Sequence, residues 1–217
     1  MNKQERFKKV IEYFQQHQPQ AETELVYKDP YQLTVAVILS AQCTDKRVNI
    51  ITPPFFQRFP DVFSLAVAEP DAVFELIRSC SYPNNKTKNL IGMAKALVND
   101  HQGVLPSDLD ELQKIPGIGR KTANVLASVI YDKPMIAVDT HVFRVSARIG
   151  LTTNARTPLQ TEEQLVRHIP ENLRSIAHHW LILHGRYVCI ARKPKCDTCG
   201  ISTSCRYFLT KQKTLGC

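Results

Sequence analysis

No stretch of this 217-residue chain approaches the roughly 18–20 consecutive apolar residues that a membrane-spanning helix needs, and the opening Met1-Asn2-Lys3-Gln4-Glu5 has no apolar signal core. Both features point to a cytoplasmic protein. Long alternating strand patterns are missing, and so are low-complexity linkers and any solenoid period, so a division into domains must arise from packing rather than from a flexible tether. Acidic residues are the scarcer charge: Lys+Arg 28 against Asp+Glu 20 leaves a formal +8, which suits a polyanionic partner and equally serves simple solubility. Cysteine is present in an odd number, seven, which fits poorly with a secreted disulfide framework. A chain of this length buries roughly 70–75% of its surface without such staples. Four cysteines crowd between Cys189 and Cys205 while Cys43, Cys80 and Cys217 stand apart, a distribution that suits reduced thiols with four of them on a metal.

Between the thirteen prolines lie segments with helical spacing, beginning with Phe7, Val10, Ile11 and Phe14. Leu33 to Leu39 is rich in β-branched residues, but Tyr31 to Ala41 is long enough for a buried helix and no hairpin signal flanks it, so a helix is expected. Further helices are expected near 61–68, 70–79, 86–100, 107–114, 121–131, 139–150, 161–168 and 176–189. The fold class is therefore all-α.

The string Leu112-Gln113-Lys114-Ile115-Pro116-Gly117-Ile118-Gly119-Arg120-Lys121-Thr122-Ala123 sets a short Pro-Gly-x-Gly turn between two helical stretches. Glycines permit positive φ and close approach, so the N–H groups of the turn and of the next helix can converge on one phosphate oxygen. Ile115 and Ile118 would anchor such a hairpin in the core. Lys121 falls in the first turn of the following helix, where the positive end of the helix dipole disfavours a second positive charge. Two roles compete for it: a phosphate clamp, which needs the ammonium, and a Schiff-base nucleophile, which needs the free amine. Further on, Ile136-Ala137-Val138-Asp139-Thr140-His141-Val142-Phe143-Arg144-Val145 puts an acid between an apolar run and an amphipathic helix. Asp139 suits a helix N-cap, and a carboxylate in a partly buried cleft also stabilises an oxocarbenium-like sugar.

Cys189, Cys196, Cys199 and Cys205, in a C-x6-C-x2-C-x5-C pattern, can chelate either zinc or a cubane iron–sulfur cluster, and a single C-x2-C knuckle mildly disfavours zinc. Arg192, Lys193 and Lys195 sit between the first two of these ligands. From Arg186 to Lys213 seven Lys/Arg face one acid, Asp197; such a run serves as a solvated basic tail, or, in a loop tied at both ends by metal ligands, presents its cations to phosphates at little entropic cost, the reading favoured here.

These segments, with His179-Trp180-Leu181-Ile182-Leu183-His184-Gly185-Arg186, together resemble the endonuclease III family of helix-hairpin-helix DNA glycosylases, in family order, from about residue 5 to 208. The resemblance implies two helical domains: a six-helix domain over 23–133 carrying the hairpin, and an iron–sulfur domain built from 1–22 and 134–217. It implies a monomeric, bifunctional glycosylase and AP lyase that removes oxidised pyrimidines from double-stranded DNA. Lys121 would be the nucleophile and Asp139 its essential carboxylate, with Gly117, Ile118, Gly119 and Arg120 gripping the DNA backbone. It further implies a [4Fe–4S] cluster on Cys189, Cys196, Cys199 and Cys205. Ser40-Ala41-Gln42-Cys43-Thr44-Asp45 resembles the family's loop whose glutamine fills the hole left by the flipped base, which implies that role for Gln42, while Asp45 would shape the site or cap a helix. Tyr82 stands where the family often has a leucine wedge, a departure that changes the group offered to the opposite strand. Trp180, His178 and His179 are expected as core groups. A glycosylase of the same fold for mismatched thymine or pyrimidine dimers, and a non-catalytic iron–sulfur DNA-binding protein, are the alternatives; the joint presence of Lys121 and Asp139 argues against the second.

Overall fold

A computed structural model describes residues 1–215, and Cys217 lies outside them. Twelve α-helices and three 3₁₀ turns make up the regular structure of the described residues, which contain no strand, and no helix is long and apolar enough to cross a membrane. The chain divides into two compact units: one spans Glu24–Tyr131, and the other joins Met1–Thr23 to the segment from Asp132 onward.

The central unit is built around α2 (Pro30–Ser40). The Asp29 carboxylate caps it by accepting from the Gln32 N–H at 2.8 Å, and Pro30 occupies its first turn, where a missing N–H is harmless. Leu33 through Leu39 are all buried, so this helix has no polar face and packs on every side, as its unbroken apolar run dictates. Around it lie α3 (Asp45–Arg58), the five-residue α4 (Val62–Ala66), α5 (Pro70–Ile77), α6 (Pro83–His101), α7 (Leu109–Lys114) and α8 (Arg120–Tyr131). Sequence reasoning gave no helix at α3, which carries Pro53 and Pro54 in its interior. The helix runs through them because both face solvent, as does Ile50 one turn back, so carbonyls deprived of their N–H donors can turn to water.

The second unit holds α1 (Lys3–His17), α9 (Thr140–Ile149), α10 (Pro158–Val166), α11 (Arg174–Tyr187) and α12 (Arg206–Leu215). Asn2 and Glu5 form a capping box at the start of α1. Phe7, Val10 and Phe14 bury one stripe of that helix, and Phe14 stacks on Trp180 with ring centroids 5.7 Å apart. The Trp180 indole N–H donates to the Gln18 carbonyl at 2.7 Å, satisfying its one donor. Full burial of three such side chains contributes roughly 5–9 kcal/mol before entropy, enough to dock the N-terminal helix firmly onto the C-terminal half. His178 and His179 are buried beside Trp180 on α11.

Candidate active site

The hairpin begins where α7 ends. Ile115 is extended, and the Ile118 N–H donates to the Ile115 carbonyl at 3.0 Å, closing a tight turn whose two isoleucines are both buried. Gly117 adopts φ +82°, and a Cβ there would stand 2.9 Å from Asn89 Cβ and 3.3 Å from Ile38 Cδ1, so conformation and close packing both demand glycine. Gly119 differs: a Cβ there would meet nothing within 4 Å. The Gly119 carbonyl accepts from the Ala123 N–H at 2.9 Å to open α8, leaving the first N–H groups of that helix beyond an exposed glycine. The first-turn N–H groups of a helix have no acceptor within the helix itself, and together with the positive helix pole they favour an anion at this spot. Arg120 and Lys121 are the first two residues of α8 and both are exposed.

Asp139 immediately precedes α9 and follows the buried run Ile136-Ala137-Val138. Its Oδ1 accepts from the Val142 N–H at 2.8 Å, so the cap fixes the direction of a half-buried carboxylate. Lys121 belongs to the central unit and Asp139 to the second.

Two further residues singled out by sequence, Gln42 and Tyr82, lie in the central unit on neighbouring loops. Both are exposed and both are left-handed, with φ of 53° and 54°, a conformation that side chains other than glycine and asparagine seldom take. The Ser81 hydroxyl donates to the Gln42 carbonyl at 2.5 Å and joins the loops. Thr44, rather than Asp45, is the N-cap of α3, and Asp45 is the acid of its first turn.

Cys189, Cys196, Cys199 and Cys205 line one cavity with Ile149, His184, Ile201 and Phe208. Cys189 follows α11, Cys196 opens a 3₁₀ turn, and Cys199 and Cys205 each close one. Burial first, and the nearness of sister cysteines after it, hold the Cys196, Cys199 and Cys205 thiols above the ordinary range. Four thiolates gathered there need positive charge between them, which a metal centre supplies, and the donor set therefore fits one. Among the described residues no three His, Cys, Asp or Glu side chains are already arranged to hold a single metal ion. Arg192, Lys193 and Lys195 are exposed on the loop between Cys189 and Cys196, which the Lys195 N–H closes onto the Val188 carbonyl at 2.9 Å.

Residues 35–171 match the HhH-GPD superfamily base excision DNA repair protein family. The endonuclease III of Rickettsia felis is 44% identical over 200 residues, covering 92% of this chain and 93% of its own, and that of Escherichia coli strain K12 is 38% identical over 207 residues, covering 95% and 97%. A solved structure of a trapped covalent intermediate of endonuclease III with DNA superposes with a TM-score of 0.92 at 37% identity, over 98% of this chain and 100% of that one. The chain belongs to the endonuclease III family of the HhH-GPD superfamily.

Within this endonuclease III framework, several contributors escaped sequence reasoning. Arg148 laces the cysteine loop, its guanidinium donating to the Ile190 carbonyl at 2.9 Å and the Ala191 carbonyl at 2.7 Å, with Cys189 Sγ at 3.6 Å. One turn earlier on α9, Arg144 donates to the Gly185 carbonyl at 2.9 Å. Buried His184 has its pKa pushed down to about 4 by loss of solvent and places Nε2 3.7 Å from Cys199 Sγ. Arginines spaced i, i+4 with a nearby basic loop would ordinarily be read as DNA contacts, and only the fold shows that these two are spent on backbone carbonyls. Lys86 is the last omission: nothing in its run of polar neighbours marks it as buried.

Proposed function

We propose that this member of the endonuclease III family is a bifunctional DNA glycosylase and AP lyase of base excision repair, releasing oxidised pyrimidines from duplex DNA and cutting the abasic strand. The observation that carries this reading is the setting of Lys121: exposed, in the first turn of α8, directly behind a hairpin whose Gly119 leaves the helix N-terminus open to a phosphate. A DNA strand held there by Gly117, Ile118, Gly119 and Arg120 would present a flipped nucleotide to the lysine.

Attack of Lys121 Nζ on C1′ breaks the glycosidic bond, and the departing base takes the bonding electrons and then a proton. The Asp139 carboxylate offsets the positive charge that develops on the sugar. Ring opening turns the new C–N bond into a protonated imine, which acidifies C2′; loss of that proton expels the 3′ phosphate, and water finally returns the free lysine. Gln42 and Tyr82 would occupy the space the base vacates, and Arg192, Lys193 and Lys195 would meet backbone phosphates. Cys189, Cys196, Cys199 and Cys205 would hold a [4Fe–4S] cluster, which when bound ties four points of this segment together and balances the thiolate charge. On this reading 23–133 is the hairpin domain, 1–22 with 134–217 is the cluster domain, and the enzyme acts as a cytoplasmic monomer.

Borohydride reduction on an abasic duplex tests the proposal directly. Wild-type protein should become covalently attached to DNA and Lys121→Ala should not, while Asp139→Asn should release bases far more slowly. Retention of β-elimination by Lys121→Ala would refute the assignment.

A further inference from the structure

Lysine is seldom buried, because its ammonium must give up water. Lys86, in the first turn of α6, is only 4% exposed. Its Nζ donates to the Leu39 carbonyl at 2.7 Å and lies 3.5 Å from Ser81 Oγ. The Leu39 carbonyl belongs to the last turn of α2, whose negative pole suits a cation. The relay continues, since Ser81 Oγ donates to the Gln42 carbonyl. Beside it Cys43 Sγ and Cys80 Sγ stand 3.8 Å apart, bridging the same two segments. Solvent loss lowers the Lys86 pKa, while the two neighbouring thiols oppose that shift. Gln42 and Tyr82, the left-handed pair, lie at the two ends of this joint. Strain at such a residue persists only where its surroundings over-determine it.

We infer that Lys86 is a positioning residue that locks the Gln42 loop to the Tyr82 loop, so that the two side chains enter the duplex as one unit. The inference rests on the proposed placement of Gln42 and Tyr82 against the lesion. An ammonium suits the task because it reaches a carbonyl of α2 and the Ser81 hydroxyl at once. Methionine fills the same volume and reaches neither.

Lys86→Met and Ser81→Ala test the joint, the second removing the hydroxyl that links Lys86 to the Gln42 carbonyl while the ammonium keeps its bond to the Leu39 carbonyl. Two rates are read for each: single-turnover base release from a duplex containing thymine glycol, and borohydride trapping on a single-stranded abasic oligonucleotide, which has no opposite strand to hold apart. Duplex base release should slow roughly ten- to hundredfold, as small misplacements near a reacting centre do, while single-strand trapping keeps its wild-type rate. Adding Tyr82→Ala to Lys86→Met should slow the duplex reaction little further, because the lock is already lost. Wild-type duplex release by either folded variant overturns the inference, and so does an equal loss of both activities, which would place the defect at the nucleophile. If Lys86→Met fails to fold, Ser81→Ala decides alone. Failure of wild-type protein to trap either abasic substrate would instead overturn the glycosylase reading, and this inference with it.

Discussion

Gly117→Ala and Gly119→Ala differ by one methyl two residues apart, yet the structure assigns them opposite consequences. At position 117 the methyl meets Asn89 Cβ at 2.9 Å, an atom rooted in the α6 backbone that cannot swing aside, and the residue must hold φ +82°. Left-handed backbone costs about 1 kcal/mol or more for alanine, and forced contact adds about 1–3 kcal/mol. A loss of about 2–4 kcal/mol would lower the melting midpoint of a chain this size by roughly 4–16 °C. At position 119 the methyl enters open space. Alanine is a poorer N-cap than glycine but restricts the unfolded chain, and the two effects leave stability within about 1 kcal/mol of wild type. The open space is where a phosphate oxygen would sit, so the same methyl should remove a charge-assisted hydrogen bond. That loss, about 1.5–3 kcal/mol, weakens binding by roughly ten- to hundredfold. Thermal unfolding and fluorescence anisotropy with a duplex bearing an uncleavable abasic analogue, at one fixed salt concentration, measure both effects. Gly119→Ala binding at wild-type affinity, or melting as low as Gly117→Ala, would refute this account of the hairpin.

Replacing Arg192, Lys193 and Lys195 together with alanine should reduce the slope of log affinity against log salt by up to about 2.7, at roughly 0.9 per lost phosphate contact; an unchanged slope would show the loop plays no part. His179 is buried, and loss of solvent pushes its pKa down to about 4. The unfolded chain binds this proton near pH 6.5 and the folded one resists it, so stability is complete above pH 6.5 and falls as pH drops towards 4. The deficit reaches about 2 kcal/mol at pH 5. Urea unfolding at pH 7 and pH 5 should show that fall in wild type and its reduction in His179→Gln. Purified protein should carry iron and acid-labile sulfide at about four each per chain. Gly200→Ala, whose new methyl would collide with the Tyr13 ring, should displace neighbouring Cys199 and lower both contents.

Much of the helical skeleton could be read from spacing alone. The unbroken Leu33–Leu39 run yielded a helix buried on all sides, and the Ile115/Ile118 pair yielded a hairpin with two anchors. What escaped was decided by three-dimensional surroundings. The Pro53-Pro54 pair conceals α3, because whether a proline stops a helix depends on where the orphaned carbonyl points. The left-handed backbone of Gln42 and Tyr82 has no local signature, since residues of that kind take it only when tertiary contacts impose it. Arg148 and Lys86 look like surface cations until the carbonyls they reach are known.

The second unit is assembled from the two ends of the chain, and its N-terminal helix is held by aromatic partners translated much later. At about 5–20 residues per second, Phe14 is added to the chain roughly 8–33 s before Trp180. During that interval the apolar stripe of α1 has no native lodging, whereas every helix of the central unit has been translated once Tyr131 is added. Biogenesis of this protein should therefore proceed middle first, with the nascent leading helix a natural client for chaperones that shelter exposed greasy segments.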